Sequence, residues 1–146
     1  WKDMEGARTQ MAYGLSVCDI LKISDNEIQW FSAKEDYTEG IHMLQQTYQI
    51  PLILLSMGRD GSRAYYKDML VEVPAFLQKN TIETTGAGDT FGACCLHHIL
   101  KYGLDNLTKQ QLKEMLTFAN AAASIITTRK GALRVMPSLE EIQRLL

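Results

Sequence analysis

The sequence predicts an α/β domain built on a mainly parallel sheet flanked by helices. Three observations carry that prediction: two short strand-like segments, "CDILKIS" and "LILL", are separated by a helical stretch; "LILL" is apolar at every position; and the second half of the chain reads as successive amphipathic helices. Two strands joined through a helix need a crossover and pair in parallel. Parallel strands are covered on both faces and so are apolar throughout.

Each element follows in order. Cys18 to Ser24 reads as the first strand, and Glu35 to Tyr48 then places Tyr37, Ile41, Leu44 and Tyr48 on one helical stripe. Leu52 to Leu55 is the second strand, entered after Pro51. Gly58 to Ser62, "GRDGS", reads as a turn, and "RAYYKDMLVEVPA" as two short strands or one hairpin, with Lys67 and Asp68 near the bend. A helix from Phe91 to Tyr102 carries the stripe Phe91, Cys95, Ile99 and Tyr102 and stops at Gly103. Thr108 and Gln111 form a capping box ahead of Leu112, Met115, Leu116, Ala119, Ala123 and Ile126. Pro137, Ser138 and Glu141 announce a last helix. No repeat or low-complexity linker divides the chain, so residues 1–146 are read as a single domain with 46% hydrophobic content.

Composition narrows the function. Fifteen basic and 17 acidic residues leave a formal charge of -2, without a basic block to track a nucleic acid, so no nucleic-acid partner is expected. No apolar run approaches the ~18 residues of a membrane span, and no membrane partner is expected either. Cys18, Cys94 and Cys95 form no C-x-x-C pair, which fits a reducing cytoplasm. His97 and His98 lack ligand partners at metal-binding spacing. The chain begins at Trp1 without a methionine, which suggests a portion of a longer protein.

The chemistry concentrates in "TTGAGDTF", Thr84 to Phe91. A Gly-x-Gly turn entering a helix points successive backbone N–H groups into one concavity, where they attract an anion. If the anion is a phosphoryl group in transit, those donors stabilise its transition-state charge. A carboxylate beside such a nest has two readings. Asp89 either complements the helix dipole or accepts the proton of a hydroxyl attacking phosphorus.

The wider stretch "TIETTGAGDTFGACCLHHIL" resembles the signature of the PfkB, ribokinase-like carbohydrate kinases, close to D-T-T-G-A-G-D-x-F, over Thr84 to Asp89 and Phe91. The resemblance implies the C-terminal portion of the ribokinase-like fold. It also implies that Asp89 is the catalytic base and that the amides of Gly86, Ala87 and Gly88 form the anion hole.

Other segments fall in the family's order. "LKISDNE" is similar to its N-x-x-E element, with Ser24 in the asparagine position toward the nucleotide and Glu27 toward magnesium through water; the same residues also spell an S-x-x-E capping box. "LLSMGRDGS" is similar to the T-x-G-x-x-G turn beside the nucleotide phosphates, giving Ser56, Gly58 and Gly61 a cofactor-binding role; an ordinary turn is the other reading. "FANAAASIITTRKGAL" looks like the helix and loop flanking the adenine, with Asn120 facing the base or bonding a neighbouring turn. Glu83 stands where the pattern has aspartate; with Thr85 and Gly131 it marks the family's monovalent-cation position, which implies potassium. The expected cofactors are thus ATP and Mg2+, with K+ beside them.

The resemblance implies the nucleotide-binding and catalytic-base portion of a larger sugar kinase. The cadence of "LKIS" and "TRKGAL" is nearest to fructokinases, converting fructose to fructose 6-phosphate. Another PfkB kinase, for 2-keto-3-deoxygluconate or ribose, and a non-catalytic nucleotide-binding or assembly module are the alternatives. Expected partners are a small sugar, ATP and the N-terminal half of the same enzyme. Alone, the chain is expected to be inactive and to self-associate through uncovered strand edges.

Overall fold

The computed structural model describes residues 3–146. Helix α1 (Met4–Val17) is capped by Asp3, whose Oδ1 accepts the Glu5 N–H at 3.1 Å. Strand β1 (Ile20–Ser24) runs directly into α2 (Asp25–Ser32), and α3 (Tyr37–Tyr48) leads to strand β2 (Leu52–Ser56). A single 3-10 turn, Gly58–Asp60, connects to the hairpin β3 (Ser62–Tyr66) and β4 (Met69–Val73). Helices α4 (Ala87–Tyr102), α5 (Lys109–Ile126) and α6 (Leu139–Leu145) complete the chain.

The four strands lie in chain order, with β1 and β2 parallel and the β2–β3 and β3–β4 pairs antiparallel. The α/β class holds, but within these residues the sheet is mixed rather than mainly parallel. The reason is local: the hairpin anticipated around Lys67 and Asp68 adds two antiparallel ladders, and Lys67 sits at its bend with φ 51°.

Alternation along the strands sorts side chains into two layers. Leu52, Leu54, Ala64, Tyr66, Val71 and Val73 pack against Phe91, Cys95 and Ile99 of α4 and Leu112, Met115 and Leu116 of α5. Ile23, Ile53, Leu55 and Tyr65 turn the other way, onto Leu15 of α1, Ile28 of α2, and Ile41 and Leu44 of α3. "LILL" is apolar throughout because helices cover both faces of β2, and all four residues are buried.

The helix signals act where they stand. Ser24–Glu27, Thr108–Gln111 and Ser138–Glu141 all form reciprocal capping boxes. Gly103 ends α4 and returns its N–H to the Ile99 carbonyl at 2.8 Å. Helix α1 has no counterpart among the sequence expectations. It buries only Ala7 and Leu15, and it is tied down instead by Arg8, whose guanidinium donates to the Phe31 and Trp30 carbonyls at 2.7 Å each.

Candidate active site

The carboxyl ends of β1 and β2 and the amino end of α4 meet. Parallel register pairs Ser24 with Ser56 at the last position of both strands, the end of an open α/β sheet at which ligands bind. A cleft of about 810 Å³ opens beside it, within the size range of small-molecule sites. Ser56, Gly58 and Gly61 line one wall, Ala87 and Gly88 lie at the α4 turn, and Asn120 and Ser124 of α5 line another wall. Arg59 and Lys79 add cationic lining that the sequence reading did not single out.

Gly86 caps α4 in a left-handed conformation, φ 78°, and no side chain caps the helix. The Ala87 N–H donates to the Thr84 carbonyl at 3.1 Å, and Thr90 N–H to Gly86 at 2.9 Å. Gly86, Gly88 and Asp89 N–H have no protein acceptor among the described residues. The Ala87 N–H thus closes the turn, and the main-chain donors left without a protein acceptor there are those of Gly86, Gly88 and Asp89.

Asp89 is the third residue of α4 and its side chain is exposed. Lys22, in the middle of β1, reaches the same turn: a Cβ built on Gly88 would lie 3.1 Å from its Nζ. An ammonium group thus stands beside the free amides, and a side chain at position 88 would press on it. Sequence reasoning missed Lys22. Its only sequence signal was a lone basic residue inside an otherwise apolar strand.

Ser24 and Glu27 lie at the end of β1 and form the capping box. Glu27 Oε2 accepts the Ser24 N–H at 2.8 Å, and the Glu27 N–H meets Ser24 Oγ at 3.3 Å. Burial pulls the Glu27 carboxyl upward, but the bonds from Ser24 and the charge of Lys22 outweigh it, so the group sits below the usual carboxylate range.

Gly61 has a backbone reason to be glycine. With φ 99°, its Cβ would sit 2.2 Å from the Val73 carbonyl oxygen and 2.8 Å from the Ala75 nitrogen, so the turn is pressed against the exit of β4. Asn120 secures the same exit. Its Nδ2 donates to the Val73 and Pro74 carbonyls, both at 3.1 Å, while the residue lines the cleft. The bond to a neighbouring turn is formed, and the residue faces the cleft as well.

The Glu83 Oε1 accepts the Gly131 N–H at 2.6 Å. Thr85 is exposed beside it. Among the described residues no cluster of three or more His, Cys, Asp or Glu groups is placed to hold a metal ion. Burial pushes the Cys94 thiol up to about 11, so it is protonated at neutral pH and a poor nucleophile. No helix among the described residues is long and apolar enough to cross a membrane.

The model of the pfkB family of carbohydrate kinases matches residues 1–139. This chain belongs to that family. Among its curated relatives, fructokinase-1 of Zea mays is 32% identical over 146 residues, covering 100% of this chain and 45% of the relative. A fructokinase of Klebsiella pneumoniae is 31% identical over 99% of the chain and 46% of its own length. The chain thus spans less than half the length of these relatives. Among solved structures, a fructokinase from Vibrio cholerae O395 with fructose, ADP and calcium superposes with a TM-score of 0.89 at 24% identity, over 100% of this chain and 46% of that one. Aminoimidazole riboside kinase from Salmonella enterica, with aminoimidazole riboside and an ATP analogue, gives 0.85 at 22% identity, over 99% and 48%. At these identities the likeness is one of fold.

Proposed function

We propose that this chain is the ATP-binding and catalytic-base portion of a kinase that transfers the γ-phosphoryl group of ATP to a sugar hydroxyl. The observation that carries the reading is the α4 turn: Asp89 stands in the first turn beside the free N–H groups of Gly88 and Asp89, with the Lys22 ammonium at Gly88. An acidic group would weaken static anion binding at that spot. It is useful if it takes a proton from the attacking hydroxyl.

In this reading the sugar oxygen forms a bond to the γ-phosphorus while the bridging bond to ADP breaks. The hydroxyl proton passes to Asp89, and ADP leaves with the bridging oxygen. Gly86, Gly88 and Asp89 N–H and Lys22 stabilise charge on the phosphoryl oxygens, and because the turn is already formed they need little reorganisation. The cleft between the Ser56 to Gly61 turn and α5 receives the nucleotide, with Arg59 and Lys79 toward its phosphates.

Magnesium, when bound with the nucleotide, would neutralise phosphate charge, and Glu27 fits the single protein carboxylate such an ion takes. Glu27 lies low in pKa and next to Lys22, so it is ionised at neutral pH. Glu27→Gln preserves the capping box, since glutamine also serves at that position. We expect several-fold more magnesium for half-maximal rate with a nearly unchanged melting temperature. A lower melting temperature with the same magnesium dependence would reduce Glu27 to a cap.

Fructose is the proposed acceptor, because the curated relatives named fructokinase match nearly the whole chain at 31 to 32% identity. The remaining acceptor contacts are assigned to another portion of the same enzyme, in keeping with the 45% coverage of the maize relative. A coupled ADP-release assay of the complete protein across fructose, ribose, 2-keto-3-deoxygluconate and adenosine tests this. The highest kcat/KM is expected on fructose. A higher value on another acceptor replaces fructose, and no release on any sugar removes the kinase reading.

A further inference from the structure

Two segments distant in sequence are fastened together behind the anion-binding turn. The N–H groups of Ile82 and Glu83 both donate to the Thr127 carbonyl, at 2.8 and 3.3 Å. The Glu83 carboxylate receives the Gly131 N–H at 2.6 Å, across 48 positions of chain. Gly86 then rests on the same loop: its Cβ would meet Ala132 Cβ at 3.1 Å, Ala132 Cα at 3.2 Å and Ile126 Cδ1 at 3.2 Å. Position 86 also has φ 78°, so glycine both adopts the turn and permits the contact.

These contacts join two sides of the cleft. Residues 127–132 continue from α5, whose Asn120, Ser124 and Thr127 line one wall, whereas residues 86–88 belong to the phosphoryl-binding turn.

The same geometry bears on a monovalent cation. A cation needs oxygen ligands, but Gly131 presents the positive end of its N–H to the Glu83 oxygen. The N–H stands where a cation shared by the two residues would lie, and its positive end opposes one there. Glu83 and Gly131 as arranged therefore do not fit a shared potassium site.

We propose that Glu83 is a positioning residue that clamps the loop after α5 to the anion-binding turn by a charge-assisted hydrogen bond, so that the enzyme needs no added potassium. The effect on rate rests on the sugar-kinase reading; the clamp itself does not.

Two variants separate reach from charge. Glu83→Gln keeps the side-chain length and an acceptor oxygen, whereas Glu83→Asp keeps the charge but is one methylene too short. Hydrogen exchange in the complete protein reads the clamp directly. The Gly131 amide is expected to exchange roughly 10- to 100-fold faster in Glu83→Asp, and less than about 10-fold faster in Glu83→Gln, in line with the loss or retention of a hydrogen bond. For positioning, kcat should follow the same order, with KM for the sugar unchanged. The unsubstituted enzyme should turn over equally in sodium and potassium salts at matched ionic strength.

The reverse order, Asp mild and Gln severe, or a several-fold rise in rate with potassium, overturns the proposal. So does an exchange difference between the variants with no accompanying change in kcat. Absence of any sugar-dependent ADP release would sink the kinase reading instead, and the exchange rates would still decide the clamp.

Discussion

Asp89→Asn in the complete protein is expected to lower sugar-dependent turnover by roughly 10² to 10⁴-fold, the usual contribution of a positioned acid-base group, with little change in ATP affinity. The substitution is nearly isosteric and removes only the proton acceptor. Asp89 is exposed at the third position of α4 and closes no capping box there, so the helix loses at most the interaction of one charge with its dipole, about 0.3 to 1 kcal/mol. The two readings of this aspartate therefore predict different observables. A base gives a large loss of kcat at an almost constant melting temperature, whereas a dipole partner gives a small loss of stability at constant kcat. Steady-state kinetics, a nucleotide-binding titration and a thermal melt on the same pair of proteins decide. Near-normal kcat would end the assignment.

Lys22→Met is the second large effect, expected to cut kcat by roughly 10² to 10³-fold, the range seen when one donor to a developing anion is lost. Lys22 Nζ lies beside Gly88, at the turn whose amides are free. Methionine keeps most of the length and apolar stem of lysine, so packing along β1 is largely preserved while the charge disappears. Lys22 also contributes to holding the Glu27 carboxyl low. Its loss should therefore raise the Glu27 pKa toward the ordinary carboxylate range while leaving the group ionised at neutral pH. Loss of ATP affinity alone, with kcat retained at saturation, would make Lys22 a ground-state binder and refute its transition-state role.

Both predictions concern one turn, yet only one of the two residues was visible in the sequence. Asp89 follows its glycines directly, so the local order of residues already places a carboxylate at a helix start. Lys22 is separated from that turn by one further strand, a hairpin and two helices. Nothing in "DILKIS" distinguishes a site lysine from a lysine on an exposed strand edge. Glu83 shows the same limit. Its departure from the family pattern and its grouping with Gly131 were legible through the resemblance, but the hydrogen bond from the Gly131 N–H was not, because it depends on how the end of α5 approaches the segment after β4.

The identity and order of most elements were legible in neighbouring residues: the Thr108–Gln111 capping box, the Gly103 stop, the bend near Lys67 and Asp68, the buried "LILL" strand and the glycine turn into α4. These follow from interactions within a few residues, or from a periodicity that reports which side is apolar. Tertiary structure decided the mixed sheet, the docking of α1 through Arg8 onto the end of α2, and the arrival of Lys22 beside Gly88 and of Glu83 beside Gly131. Strand register matters most. It pairs Ser24 with Ser56 and sends Ile23 to one face, leaving Lys22 beside Gly88. A slip of one residue would exchange the faces of β1, so the convergence of these polar groups exists only once the sheet and both helical layers are packed.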